Sequence, residues 1–126
     1  MARPYIGGTR AAIESKTAAY TIVPTDHGKT LVLSGGVVTI SLPTMASAYK
    51  GFSCKIISGD DSEHVLNGGA SLIYGSGIMT GDKTQFYAAI SSLTLIHTVI
   101  GDSFSIISDG TNWYCFNSAV NGITSG

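Results

Sequence analysis

A chain of 126 residues has room for one domain with a real core and not comfortably for two. Charged residues are only 12% of it and the net charge is −1, against roughly 25% charged in an ordinary globular protein, so Ser, Thr, Gly and Asn must supply polar surface and a share of the surface is expected to hide in an assembly. The seven Lys and Arg are scattered, which argues against nucleic acid as a partner, and no apolar run approaches the ~20 residues of a membrane helix.

Residues 1–18 (MARPYIGGTRAAIESKTA) read as an extended N-terminal arm, with 19–126 as the β-domain. Pro4 and Gly7-Gly8 resist regular structure, residues 11–16 are long enough only for one helical turn, and Tyr5, Ile6 and Ile13 are apolar studs. The segment has no hydrophobic core of a secretory signal. Residues 20–23 form a short strand stopped by Pro24, and Thr25-Asp26-His27-Gly28 is turn chemistry. KTLVLS (29–34) and VVTISL (37–42) flank Gly35-Gly36 and are expected to pair as a hairpin. Residues 44–50 are a connector with room for one helical turn. FSCKIIS (52–58) puts Phe52, Cys54 and Ile56 on one face.

GDDSEH (59–64) is an acidic loop, and Val65-Leu66 with residues 71–74 form a third hairpin candidate around Asn67-Gly68-Gly69. GSGIMTGDK (75–83) reads as a Gly-rich loop, 85–90 as a strand, and LTLIHTVI (93–100) as a strand apolar on both faces, hence central or buried against another subunit. The strongest signal is 103–116, SFSIISDGTNWYCF. Phe104 and Ile106 alternate with serines, Asp109-Gly110 suits a tight type I′ turn, and the return strand carries the densest aromatic cluster. Alternation puts Trp113 and Cys115 on one face, as core anchors, and Tyr114 and Phe116 on the other, as candidates for a subunit contact. The tail, 118–126, is small and polar. Eight to ten short strands with regular turns predict an all-β, single-domain antiparallel β-sandwich or barrel, jelly-roll-like.

The residues give little to catalysis. His27 lies in a turn, His64 in the acidic loop and His97 inside an apolar strand, and there is no G-x-S-x-G elbow. Asp60, Asp61, Glu63 and His64 are the only acidic cluster, without the spacing of an EF-hand loop. Residues 75–83 fit neither a phosphate-binding loop nor a dinucleotide fingerprint. Cys54 and Cys115 form no C-x-x-C and read as two small buried side chains, with a disulfide between them left undecided by spacing alone. The expectation is a protein that is not an enzyme and carries no metal or cofactor.

Asp26-x-Gly28-Lys29-Thr30 followed by LVLSGGVVTISLP, then Gly51-Phe52 opening a strand, then Gly101-Asp102 leading into SIISDGTNWY, resembles a recurrent β-domain of tailed-phage structural proteins. With Tyr5 to Gly8 and Ala12 to Glu14 matching a "YIGG…AIE" arm, and Gly122 to Thr124 a "G-I-T" tail, it looks most like head decoration (cement) proteins. The resemblance spans most of the chain and is thinnest over 60–98. It implies a homotrimer on the outer surface of the virion head, made in the host cytoplasm, with the major capsid protein as partner. Such a protein stabilises the capsid by bridging neighbouring subunits through many modest contacts multiplied by avidity. Arg3, Tyr5 and Ile6 are the arm residues expected to touch the capsid. The same hairpin and I-x-L-P motifs (Ile40 to Pro43) occur in tail-fibre and tail-spike modules, so a receptor-binding attachment module is the alternative. It is disfavoured by the absence of a repetitive shaft ahead of the β-domain. A depolymerase would want paired carboxylates on a long β-helix, and neither length nor repeats are present.

Overall fold

The computed structural model describes residues 12–69, 73–79, 83–95, 99–118 and 123–125. Among these there is no α-helix, and the protein is all-β. The strands are β1 (Ile13–Lys16), β2 (Tyr20–Thr21), β3 (Thr30–Leu33), β4 (Thr39–Ser41), β5 (Ser53–Ser58), β6 (Val65–Asn67), β7 (Ile73–Met79), β8 (Lys83–Ile90), β9 (Ser92–Leu95), β10 (Ser103–Ser108), β11 (Trp113–Ser118) and β12 (Ile123–Ser125). Pro24–Asp26 and Ser47–Tyr49 are single 3-10 turns.

Strands of the first half alternate between two ladders. β1, β3 and β5 pair in parallel in one, and β2, β4 and β6 pair in parallel in the other. Parallel neighbours need a long crossover, and here each crossover is a strand of the opposite ladder. The result is three stacked coils. The second half closes the stack with antiparallel strands, β10 on β5 and β9 on β6. β11 pairs with β10 and β7, β8 pairs with β7, and β12 bridges β7 and β9, so the two ladders join into one path with β1 and β2 at its ends.

The expected antiparallel architecture is therefore corrected to a mixed one. The Gly35-Gly36 hairpin is not formed, because β3 and β4 belong to different ladders. The N–H groups of Gly35 and Gly36 go to the Asp60 carboxylate, at 2.9 and 3.4 Å, rather than to a cross-strand partner. The hairpin around Asn67-Gly68-Gly69 is also absent. β6 pairs with β4 and β9, and Gly68 N–H donates to Ser91 O. Of the expected Gly-rich loop over 75–83, residues 75–79 belong to β7 and Lys83 opens β8, while 80–82 lie outside the described residues. Gly75 and Gly77 lie within β7, and Gly75 faces Cys115 so closely that an added Cβ would strike the Cys115 carbonyl. Gly75 lets β11 approach.

The expected arm is shorter than 1–18. Ile13–Lys16 is a strand of the sheet, not a helical turn, so the β-domain starts before residue 19. Residues 1–11 lie outside the described residues. The tail contributes β12, which its small polar composition did not announce.

The 103–118 hairpin forms, with the expected faces but with Ser108 opposite Trp113 rather than Thr111. Its turn is longer than a two-residue type I′. Asp109 Oδ1 accepts from the N–H groups of Thr111 and Asn112, at 2.8 and 2.7 Å, and Gly110 takes φ +88°. Buried side chains of both ladders meet in one core: Leu31, Ile56, Phe104 and Trp113 from one side, Ile40, Leu66 and Leu93 from the other. Of the strand expected over 93–100, β9 holds residues up to Leu95 and lies between β12 and β6 with Leu93 and Leu95 buried; residues 96–98 lie outside the described residues, and Val99 and Ile100 are exposed.

Candidate interaction surface

The hairpin divides its side chains between core and solvent. Trp113 and Cys115 are fully buried. The indole meets Tyr49 and Phe52 at centroid distances of 5.5 and 5.8 Å, and its Nε1–H donates to Pro43 O at 3.3 Å. Tilted and edge-on ring pairs of this kind add to the burial of a large side chain. Trp113 thereby ties β11 to the exit of β4. Cys54, Ile106, Cys115 and Gly75 form one cross-strand row. The two cysteines are two ladder steps apart, roughly 10 Å, beyond the reach of a disulfide, and they are unbridged. Burial pushes the Cys54 thiol up to about 12, with the Asp26 carboxylate adding to it, so no reactive thiolate is offered there.

Tyr114 and Phe116 point the other way. One outward row runs Ser53, Ile107, Tyr114, Tyr74 across four strands, and the next runs Ile13, Thr30, Lys55, Ser105, Phe116, Ser76 across six. Ile107 and Phe116 are each 45% exposed and Ile13 is 68% exposed. The Tyr114 ring stands 6.4 Å from that of Tyr74, and its hydroxyl donates to Asp109 Oδ2 at 3.0 Å. Backbone N–H donation from Asn112 and then Thr111, with the Tyr114 hydroxyl, holds the Asp109 carboxyl below its usual range. A shallow groove runs over this face beside Lys55, Ser105 and Ile107. In these two rows Lys55 is the one charged side chain. Aliphatic and aromatic groups with hydroxyls and a single cation suit contact with another protein better than catalysis. Ile107 and Lys55 were missed in the sequence, although their parity with Tyr114 and Phe116 follows once the strands are paired.

Four other charged groups hold the fold together at one end. Asp26, in the D-x-G-K turn, accepts from Val23 N–H, Tyr20 Oη–H and Lys29 Nζ, and Lys29 also reaches Glu14 at 2.7 Å. Lys16 pairs with Glu14 and lies 3.7 Å from the Tyr20 ring centroid. This chain of charges seals the core where the ladders end at β1 and β2. Burial alone would raise the Asp26 carboxyl, but donation from Val23, Tyr20 and Lys29 outweighs it and the net direction is down.

The acidic loop is held the same way. Asp60 takes the N–H groups of Gly35, Gly36 and Ser62, and faces His64 Nε2 at 2.8 Å. His64 is buried, and its Nδ1 accepts from Val38 N–H at 3.0 Å. No group of three His, Cys, Asp or Glu is placed to hold a metal among the described residues. His27 Nδ1 accepts from Ser53 N–H, so it too braces a turn. His97 and the arm residues Arg3, Tyr5 and Ile6 lie outside the described residues. No protein-family model matches the chain, and no curated protein does.

Proposed function

We propose that this chain is a head decoration (cement) protein of a tailed phage, a homotrimer on the outer capsid surface that stabilises the shell by bridging major-capsid subunits. The observation that carries this reading is the outward face of β5, β10 and β11, where Ile107, Tyr114 and Phe116 lie exposed or half-buried with only Lys55 for charge. A lone protein at 12% charge gains nothing from such a face; an assembling one uses it. The sequence motifs supply the phage context. In this reading the two ladders are the layers of a sandwich, and Arg3, Tyr5 and Ile6 reach to the capsid.

Two preparations test it: the full chain and a variant lacking residues 1–11, which keeps β1 intact. Each is mixed with undecorated heads and sedimented. The full chain is expected to co-sediment and the truncated one to lose most of its binding. Failure of the full chain to bind heads sinks the reading, and full binding by the truncated form sinks the role of the arm.

One observation favours the alternative, an attachment module of a tail fibre or spike. Coils stacked in parallel, β1 on β3 on β5, are a way to build elongated shafts. A density map of the particle separates the readings: copies on the head support the first, copies at the tail tip the second.

A further inference from the structure

Most of the charged side chains described have a partner within the molecule. Glu14, Lys16, Asp26 and Lys29 form one network, Asp60 pairs with His64, and Asp109 is spent on its own loop. Among the described residues Lys55 and Asp61 have neither an ion pair nor a hydrogen bond from their side chains, and both are exposed. Lys50 shares that condition, at a corner beside Gly110.

Lys55 and Asp61 lie in different places, each on a surface that also exposes large aliphatic side chains. Lys55 lies on the outer face, in the row of Phe116 and next to that of Ile107. Asp61 lies on an edge where three connections run side by side. Loop 59–64 is in the middle, with Gly59 N–H bonded to Leu33 O and Asp60 holding Gly35 and Gly36 on one flank. On the other flank Gly101 N–H donates to Ser58 O. This edge exposes Val37 at 62% and Ile100 at 75%.

We propose that copies of this chain join face to edge, the Lys55 face of one seating the Asp61 edge of the next. The inference rests on the homotrimer reading and names its contact. Each patch offers exposed aliphatic surface and one unpartnered charge, and the two charges are of opposite sign. A single rim pair adds little affinity by itself but selects the partner and register, because like charges brought together there are strongly unfavourable. A face docking on an edge is a heterologous contact, which forms a ring where its rotation closes, after three copies in the homotrimer reading, and an open filament where it does not.

The test is self-association by sedimentation velocity and native mass spectrometry over a concentration series. It uses the full chain, Lys55→Glu, Asp61→Lys, the double reversal, and Lys50→Glu as a control. Trp113 fluorescence reports that each variant is folded. The full chain is expected to assemble at three times the 13.0 kDa chain mass. Each single reversal should weaken assembly roughly tenfold or more, the double reversal should restore it, and Lys50→Glu should leave it unchanged. A trimer indifferent to the single reversals, or one that the double reversal fails to rescue, overturns this contact and leaves the homotrimer standing. A full chain that stays monomeric throughout overturns both.

Discussion

The His64 imidazole stands between Val38 and Asp60: its Nδ1 accepts from Val38 N–H at 3.0 Å and its Nε2 faces Asp60 Oδ1 at 2.8 Å. With Nδ1 occupied as acceptor, the ring proton sits on Nε2. One side chain thus satisfies a buried backbone donor of the second coil and orients the carboxylate that holds the Gly35-Gly36 corner. His64→Leu should leave Val38 N–H buried without its acceptor, costing about 1–3 kcal/mol. Urea denaturation measures the difference, and an unchanged midpoint would refute this role.

Asp60 gives the same corner a dependence on acid. Ser62 N–H donation leads the causes that bring its carboxyl from 3.8 down to about 2, with Gly36 N–H and His64 adding. The folded value is below the unfolded one, so the contribution is complete above the unfolded value and is lost as pH falls through about 2. Between pH 5 and pH 2 the wild type should therefore lose more stability than Asp60→Asn, which has no carboxyl to protonate there. Thermal midpoints across that range check it. Equal losses in the two proteins would assign the acid sensitivity elsewhere.

Tyr20 carries the opposite sign. Its hydroxyl donates to Asp26 Oδ2 at 2.7 Å, and that hydrogen bond, with burial, raises its pKa from 10.0 to about 12. The stability it lends is present below pH 10 and is lost as pH rises through about 12. A tyrosinate absorbance titration should show one late-ionising tyrosine, missing in Tyr20→Phe. That variant should also be less stable at neutral pH by about 1.5–3 kcal/mol, the range for a hydrogen bond to a charged group.

Trp113 is the only tryptophan and is fully buried, so its emission should be blue-shifted and shift to the red on unfolding. Trp113→Ala should cost about 3–5 kcal/mol, read by circular dichroism during urea unfolding. Phe116→Ser, on the exposed side of the same strand, should stay within about 0.5 kcal/mol of wild type. Comparable losses at the two positions would contradict the assignment of their faces.

Gly75→Ala should cost far more than Phe116→Ser, because the new methyl meets the Cys115 carbonyl rather than a movable side chain. The β7–β11 pairing has to open, at a cost at or above the upper end of the ~1–3 kcal/mol usual for overpacking. Soluble yield and thermal midpoint measure it, and a wild-type midpoint would contradict the close approach.

What was legible in the sequence was what alternation and adjacency could carry. β10 and β11 are neighbours in chain and sheet, so parity alone separated Trp113 and Cys115 from Tyr114 and Phe116. Phe52, Cys54 and Ile56 were found inward by the same rule. The coils were illegible because they keep no period. Ile13 lies opposite Thr30, a step of 17 residues, but Thr30 lies opposite Lys55, a step of 25. Tyr20 to Ile40 is 20 residues and Ile40 to Leu66 is 26. Gly35-Gly36 carried a hairpin signal that a carboxylate from much later in the chain overrode. The outer face was half visible: Tyr114 and Phe116 were singled out, but Lys55 and Ile107 join them only through pairings between distant strands.

The stacked coils also fix the order in which this protein can be finished. When residue 67 leaves the ribosome, β1 to β6 are all made, yet β5 still shows the edge that awaits β10, and β6 the edge that awaits β9. Two ladders stand open side by side, with Ile56 and Leu66 uncovered, until the last third of the chain is translated. Pairings of such long sequence separation fold slowly, and exposed strand edges invite pairing with a neighbouring nascent chain. A chain proposed to sit beside its own copies must therefore first avoid meeting them too early.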